Sequence, residues 1–473
     1  MSTSDVPSAP SHRHRAVVVG GGLAGMLAAA ALSDSVDEVT VIERDVLPSG
    51  PEPRSHLPQA RHAHILWSGG AEAMERLLPG VSQAWLAAGA RRVPLTSQMV
   101  ALSPQGWYRR WRESHYLISC GRDLLDATVR DRVLALPNVT VLDATRVLGL
   151  VGDAHRVTGV RVRRRDGTEE LLGAGLTVDA SGRGTHTPRW LDALGVPAAR
   201  EEVVDPGVVY ASRLYRSPAG DQSFPVVNVQ ANARAAEPGR TAVILPVEDG
   251  RWLVTLSGTR GARPTSDPEA FGPFALAARH PIVGRLIAGA EPLSEVSTFA
   301  HTAGRRHFFE KVKGWPEGYV ALGDAVAVYN PVYGHGMSVA AQGALALREA
   351  LAAHGVTAPR LARRVQRAVA GPVGTAWLLA GQDIFYPGAT ARRPRMIERI
   401  LGRCVDRLMR TSTGNYTVAT ALTDVMTLTA PVTSLLRPAV LLAAFRGPGR
   451  PQLTEPPLTD RELALVQSPQ KTP

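Results

Sequence analysis

Cysteine is nearly absent from this chain. Cys120 and Cys404 are far apart and in no C-x-x-C spacing, which excludes a disulfide framework and a cysteine zinc site and fits a reducing compartment. Lysine occurs only at Lys311, Lys313 and Lys471, so the net charge of +11 is carried by scattered arginine. No nucleic-acid motif accompanies it, and it reads as a solvated basic surface that can attract an acidic partner. No apolar run approaches the roughly 20 residues that a bilayer span requires, so no integral membrane association is expected. The opening M-S-T-S-D-V-P-S-A-P has no apolar signal region and reads as a frayed leader of a cytoplasmic protein. With 473 residues, 44% hydrophobic and 20% charged, the chain is globular and too long for one compact core, which predicts interleaved modules.

From Arg15 to Glu43 a β-branched run, a glycine turn, an alanine- and leucine-rich stretch and a second β-branched run follow one another, forming one βαβ unit. Residues 52–66 read as a long ordered loop before a helix near 68–79. A strand at 115–120 precedes a helix at 121–135, and strands follow at 139–142, 146–151, 156–164 and 175–179. Between 203 and 300 the pattern becomes that of a mostly antiparallel sheet, with Asp249-Gly250 as a hairpin turn. The run G-Y-V-A-L-G-D-A at 318–325 returns to the buried-strand pattern, so a distant part of the chain completes the first domain and the middle sheet is an insertion. Residues 336 to about 410 read as helices, and the proline-rich tail from Gly447 as extended.

Gly20, Gly22 and Gly25 stand in G-x-G-x-x-G spacing between the first strand and helix, and Glu43, followed by Arg44, ends the next strand. The glycines permit a tight turn, backbone approach to a pyrophosphate and close helix–strand packing; the acid suits ribose hydroxyls and disfavours a 2′-phosphate. The ligand is therefore FAD or NAD rather than NADP. A second signature decides between them: G-D-A-V-A-V-Y-N-P-V-Y-G-H-G-M-S, in which Gly323-Asp324 ends a strand and Gly334-His335-Gly336-Met337 opens a long helix. A long cofactor fits this arrangement. Asp324 can bind a ribityl hydroxyl, and the helix start can stabilise the charge of reduced flavin. Arg122, at a strand-to-helix junction, can reach the phosphate or ribityl region.

These residues resemble the flavin-dependent monooxygenases that include para-hydroxybenzoate hydroxylase and squalene epoxidase. The likeness is closer to the polyether epoxidases of the lasalocid and monensin pathways, through L-P-Q-A-R-H-A-H-I-L-W-S-G-G-A (57–71), V-D-A-S-G-R-G (178–184), E-D-G-R-W-L-V-T-L-S-G-T-R-G (248–261) and the segment at 323–338. The resemblance implies an α/β fold: a glutathione-reductase-like FAD domain with a Rossmann-type parallel sheet, an inserted mostly antiparallel substrate sheet and a C-terminal helical region. The expected boundaries are 15–95, 119–202 and 301–350 for the FAD domain, 96–118 and 203–300 for the substrate domain, 351–446 for the helical region and 447–473 for the tail. It further implies epoxidation of alkenes in a linear polyene polyketide by a flavin C4a-hydroperoxide, with no obligatory side-chain base and no catalytic residue assigned. Arg54 and Gln59 resemble loop residues lying over the flavin. V-D-A-S-G-R-G replaces an Asp-Gly pair of the single-component hydroxylases, so electrons from NAD(P)H are expected through a separate flavin reductase. His56 stands where the closest relatives have glycine. The substrate is free or borne by an acyl carrier protein.

Other constellations carry less. His62 and His64 would share one face of a strand but have no third ligand at a recognised spacing, so no metal is expected. His62 and Tyr210 are the substrate-contact candidates. Trp107, Tyr108, Trp111, Tyr116, Tyr215 and Trp252 suit either a pocket or ordinary core. Ser119, Ser181 and Ser257 lack a nucleophile elbow, and W-x-W-x-I-P with an early lysine, as in flavin halogenases, is missing. The rivals are a hydroxylase of a polyketide or aromatic substrate, an alkene reductase like geranylgeranyl reductase, and a redox-silent flavin-binding scaffold.

Overall fold

The computed structural model describes residues 14–54, 56–218 and 223–467; the leader and Lys471 lie outside them. Arg15–Val19 is central to a five-stranded parallel sheet in the order Tyr319–Ala321, Leu176–Asp179, Arg15–Val19, Glu38–Ile42, Val139–Leu142. Val18 pairs with Val178 on one side and Val41 on the other, and all three are buried. Such double-faced burial is what a parallel sheet covered by helices requires. The helix Leu23–Ser33 lies beneath it, and its run of alanines lets it pack closely on the helices Arg122–Leu134 and Gly336–His354. The chain first builds outward on one side of the central strand, to Glu38–Ile42 and Val139–Leu142, and then crosses to the other side, to Leu176–Asp179 and Tyr319–Ala321. A crevice therefore opens at the carboxyl ends of the strands, where such folds bind ligands.

A seven-stranded sheet forms the second layer, in the order Ser297–Phe299, Val209–Arg216, Arg251–Gly258, Arg240–Val247, Val226–Val229, Met99–Ser103, Gly106–Trp107. All its pairs are antiparallel except Val226–Val229 with Met99–Ser103. The hairpin turn falls where the sequence places it, with Asp249 and Gly250 both at positive φ. One face buries Phe224, Ile244, Trp252, Val254 and Leu256 against the helices Pro268–Leu276 and Ile282–Ile287. Tyr210, Ser212 and Thr255 alternate with that core and point the other way.

Several elements depart from expectation. Glu169–Gly173 is an additional strand that completes a meander with Val157–Arg163 and Arg146–Gly152. Tyr116–Ser119 joins a small separate sheet with Leu66–Trp67 and Arg91–Pro94. His62 and His64 are not on a strand: a short 3-10 turn at Pro58–Arg61 precedes them, and pairing begins only at Leu66. The tail is not extended throughout, because Leu453 bridges Trp107 and Asp460–Gln467 is a helix anchored by the Arg110–Glu462 ion pair at 2.7 Å. Acidic residues in the first turn of that helix favour it over the preceding proline-rich segment.

Candidate functional site

The crevice between the two sheets is a cavity of about 750 Å³, within the range of cofactor clefts. Of the residues singled out from sequence, Gly20, Gly22, Glu43, Arg44, Arg54, Gln59, His62, Arg122, Tyr210, Asp324, Gly334, His335, Gly336 and Met337 all line it. Gly25 does not; it lies beneath the turn, where a Cβ would stand 1.8 Å from the Gly20 carbonyl oxygen. Its absence of side chain lets helix and strand touch. Gly20 sits at φ +103°, a backbone conformation that favours glycine, while a Cβ on Gly22 would meet nothing within 4 Å. That leaves the Gly22 backbone open to a ligand at a helix N-terminus.

Glu43 is buried and accepts hydrogen bonds from Gly21 N at 2.8 Å and Asp45 N at 3.0 Å. Arg54 pairs with the same carboxylate at 2.8 Å and donates to the Gly21 carbonyl at 3.1 Å. Of the roughly four lone-pair positions on a carboxylate, one on Oε1 remains for a ribose hydroxyl. Arg54 thus braces the glycine turn, and its buried Nε has no partner among the described residues. Arg44 is largely exposed beside Asp45, and His56 pairs with Asp45 at 2.9 Å.

Three groups converge midway along the cleft. Burial raises the Asp324 carboxyl above the usual carboxylate range, and Arg183 and Arg122 oppose that rise. Arg122 is itself tied to Asp126 at 2.8 Å. Arg183 donates to the Ala303 carbonyl at 3.2 Å; sequence reasoning passed over it, although it lies in the V-D-A-S-G-R-G block. Asp179 of that block is fully buried and fixes the loop, accepting from Ser181 N at 2.9 Å, Thr185 Oγ1 at 2.5 Å and Thr187 Oγ1.

At the sheet end, three neutral histidines present defined edges. Burial, reinforced by Arg61, lowers His62 to about 4. Its Nδ1 lies 2.7 Å from Ser212 Oγ, which lies 2.7 Å from Thr255 Oγ1, which accepts from Ala63 N at 2.9 Å. The chain of contacts ends at His62, whose Nε2 is buried and has no partner among the described residues. Burial, followed by Arg122, lowers His64 to about 3; His64 Nδ1 donates to the His62 carbonyl at 2.8 Å, so Nε2 is its acceptor. Burial also lowers His335 to about 4. Its Nε2 donates to the Met426 carbonyl at 3.0 Å, which leaves the buried Nδ1 as an unpartnered acceptor.

Tyr210 lines the cleft through its ring, because its hydroxyl donates to Asn330 Oδ1 at 2.9 Å. Behind Asn330 lies Asp383, accepting from Asn330 Nδ2 and Tyr333 OH, both at 2.8 Å. The other aromatic candidates are core or surface contacts: Trp107, Tyr215 and Trp252 belong to the second core, Trp111 meets Tyr416 edge-on, and Arg92 covers Tyr116. Phe299, His301 and Tyr329 line this end and were not foreseen. Among the described residues no group of three or more histidine, cysteine or acidic side chains suits a metal, and no helix is long and apolar enough to cross a membrane.

A glycine turn with its acid, a switch-point cleft and a distant helix start closing on the same cavity define a dinucleotide-binding flavoprotein. The FAD binding domain family matches residues 13–360, and the chain belongs to that family. FAD is its cofactor. A Mycobacterium tuberculosis (strain ATCC 25618 / H37Rv) protein, Rv3254, is 33% identical over 399 residues, covering 80% of this chain and 82% of its own. Among solved structures, the flavin-dependent brominase Bmp2 is similar with a TM-score of 0.63 at 17% identity, over 91% of this chain and 98% of that one. PqsL, a probable FAD-dependent monooxygenase from Pseudomonas aeruginosa, is similar with a TM-score of 0.54 at 18% identity, over 78% and 92%. At these identities the two structures establish the fold, a mixed α/β flavoprotein architecture.

Proposed function

We propose that this protein is an FAD-dependent monooxygenase that epoxidises alkenes of a long, apolar polyene polyketide in polyether-type biosynthesis. The observation that carries this reading is the chemistry of the sheet end of the cleft. Phe299, Tyr329, Pro331 and the Tyr210 ring line it with neutral histidines, and its sheet side offers no carboxylate. Histidines held near 4 by burial are poor bases at neutral pH. A phenol hydroxylase profits from a base that ionises its substrate, whereas an alkene has no proton to remove. The brominase-like fold does not favour halogenation here, since none of the cleft-lining residues is lysine.

The residues fit FAD. The Gly20–Gly25 turn, Glu43, Arg44 and Arg54 take the adenosine and pyrophosphate; Arg122, Arg183 and Asp324 take the ribityl region; Gln59 and Gly334–Met337 take the ring system. Bound and reduced, FAD supplies an electrophilic oxygen atom that originates in O2. The chain's own work is positional. The helix start at Gly336 favours negative charge at the pyrimidine edge, His62 lines the cavity with its Nε2 unpartnered, and the Tyr210 and Phe299 rings exclude water and seat the alkene. Electrons reach the site from NAD(P)H through a separate flavin reductase. This is supported by the V-D-A-S-G-R-G block at 178–184, which stands in place of the Asp-Gly pair of single-component hydroxylases and whose Asp179 is buried and holds its own loop. The substrate is a polyene, free or on an acyl carrier protein.

Reduced holoenzyme incubated with an apolar polyene under isotopically labelled O2 tests the proposal. An epoxide carrying one labelled atom is expected. An alcohol formed without passing through an epoxide, a saturated product formed without oxygen, or a halogenated product when halide is added would each overturn it.

A further inference from the structure

Among the described residues, about half of the exposed large apolar side chains fall within 396–445, a concentration that marks an interaction surface rather than chance exposure. All but Leu436 lie on two helices that pack together, Met396–Ser412 and Pro438–Arg446. On the first, Met396 (79% exposed), Ile397, Ile400 and Leu401 form one strip at helical spacing; on the second, Leu441, Leu442 and Phe445 (78% exposed) face outward. Arg407 of the first helix donates to the Ala444 and Phe445 carbonyls at 2.9 and 2.6 Å, which ties its flank to the end of the second.

The charge beside the strip has one sign. Arg399, Arg403 and Arg410 are exposed along the first helix and Arg437 and Arg446 flank the second. Each acidic residue of the same region is already engaged: Glu398 with Arg392, Asp406 with Arg234, Asp424 with His115. An apolar strip bordered by unopposed arginine is the pattern of a helix lying in a lipid interface. A second copy of this chain is disfavoured as the occupant, because a self-complementary contact would set arginine against arginine in a desolvating interface.

We propose that these two helices dock the protein peripherally on an anionic bilayer surface, with the apolar strip at the acyl boundary and the arginines among headgroup phosphates. The surface carries none of the residues that line the cleft, so the inference stands apart from the proposed reaction. It would place the protein where a long apolar compound partitions.

Sedimentation of the full-length, FAD-loaded protein with phosphatidylcholine vesicles, with or without about one third phosphatidylglycerol, tests this. Binding is expected only with the anionic lipid, weakening as salt rises. Paired substitutions Ile397→Ser with Phe445→Ser, and separately Arg399→Glu with Arg403→Glu, should each lower partitioning about tenfold or more, with the flavin spectrum and far-ultraviolet dichroism unchanged. Four results would overturn the proposal: no sedimentation with either lipid, equal binding to neutral vesicles, concentration-dependent dimers that Phe445→Ser abolishes without any lipid binding, or binding of an acidic carrier protein in place of vesicles.

Discussion

Replacing Asp383 by asparagine should make the protein progressively more stable, relative to the wild type, as pH rises. Asp383 is 4% exposed, and burial raises it from 3.8 to about 6 despite the hydrogen bonds from Asn330 and Tyr333. A carboxyl raised in the folded state contributes stability that is complete below its unfolded pKa and is lost as pH climbs through the folded one. The whole shift of about two units corresponds to roughly 3 kcal/mol, of which about 2 kcal/mol falls between about pH 4.5 and 7.5. Asparagine cannot ionise. Whatever fixed cost Asp383→Asn brings, including amide facing amide at Asn330, is the same at both pH values. Urea unfolding followed by tryptophan fluorescence should therefore show the variant gaining about 2 kcal/mol relative to the wild type across that range. A difference that stays flat, or moves the other way, would refute the view that burial governs this carboxyl.

Gly25→Ala would set a Cβ 1.8 Å from the Gly20 carbonyl, a clash with backbone that cannot relax locally; flavin content after purification should fall to near zero. Arg54→Met removes the partner of buried Glu43 and the brace on the Gly21 carbonyl, so FAD affinity in an equilibrium titration should drop by about tenfold or more, a charged hydrogen bond being worth roughly 1.5–3 kcal/mol. Thr255→Val leaves the Ala63 N–H without its acceptor, costing about 1–3 kcal/mol of stability, and frees Ser212 to turn away from His62. Peroxide released per O2 consumed should then rise, as it should in His62→Leu, while His62→Gln, which keeps a hydrogen-bonding group near the same place, should restore coupling. Because His62 is neutral above about pH 5, peroxide release should show no step between pH 6 and 8 from this group.

The nucleotide end was legible in the sequence because its signals are local: three glycines at fixed spacing, an acid at a strand end and a helix start after Gly334. The Asp249-Gly250 hairpin was legible for the same reason, since two positive-φ residues announce themselves. The end of the cleft beneath the seven-stranded sheet was less so. Ser212 and Thr255 stand on separate strands, Val209–Arg216 and Arg251–Gly258, and their link to His62 spans about 150 residues of chain. Period-two alternation shows that they face away from the apolar core but not what they meet. Arg183 sat in a quoted motif, yet only the fold brings it to Asp324. The strand Glu169–Gly173 was hidden because its exposed positions carry too few β-formers to stand out. Glu201–Val204 pairs with Gly304–His307, roughly 100 residues away, a pairing that no short window reveals.

The most direct test of the account is a crystal structure of the FAD-loaded protein with an apolar polyene fragment. It should place the adenosine at Gly22 and Glu43, the pyrimidine edge at the Gly336 helix start, and the alkene between the flavin and the Tyr210 and Phe299 rings. A flavin ring lying away from His335 and Asp324, or a fragment bound outside the cleft beneath the seven-stranded sheet, would contradict it.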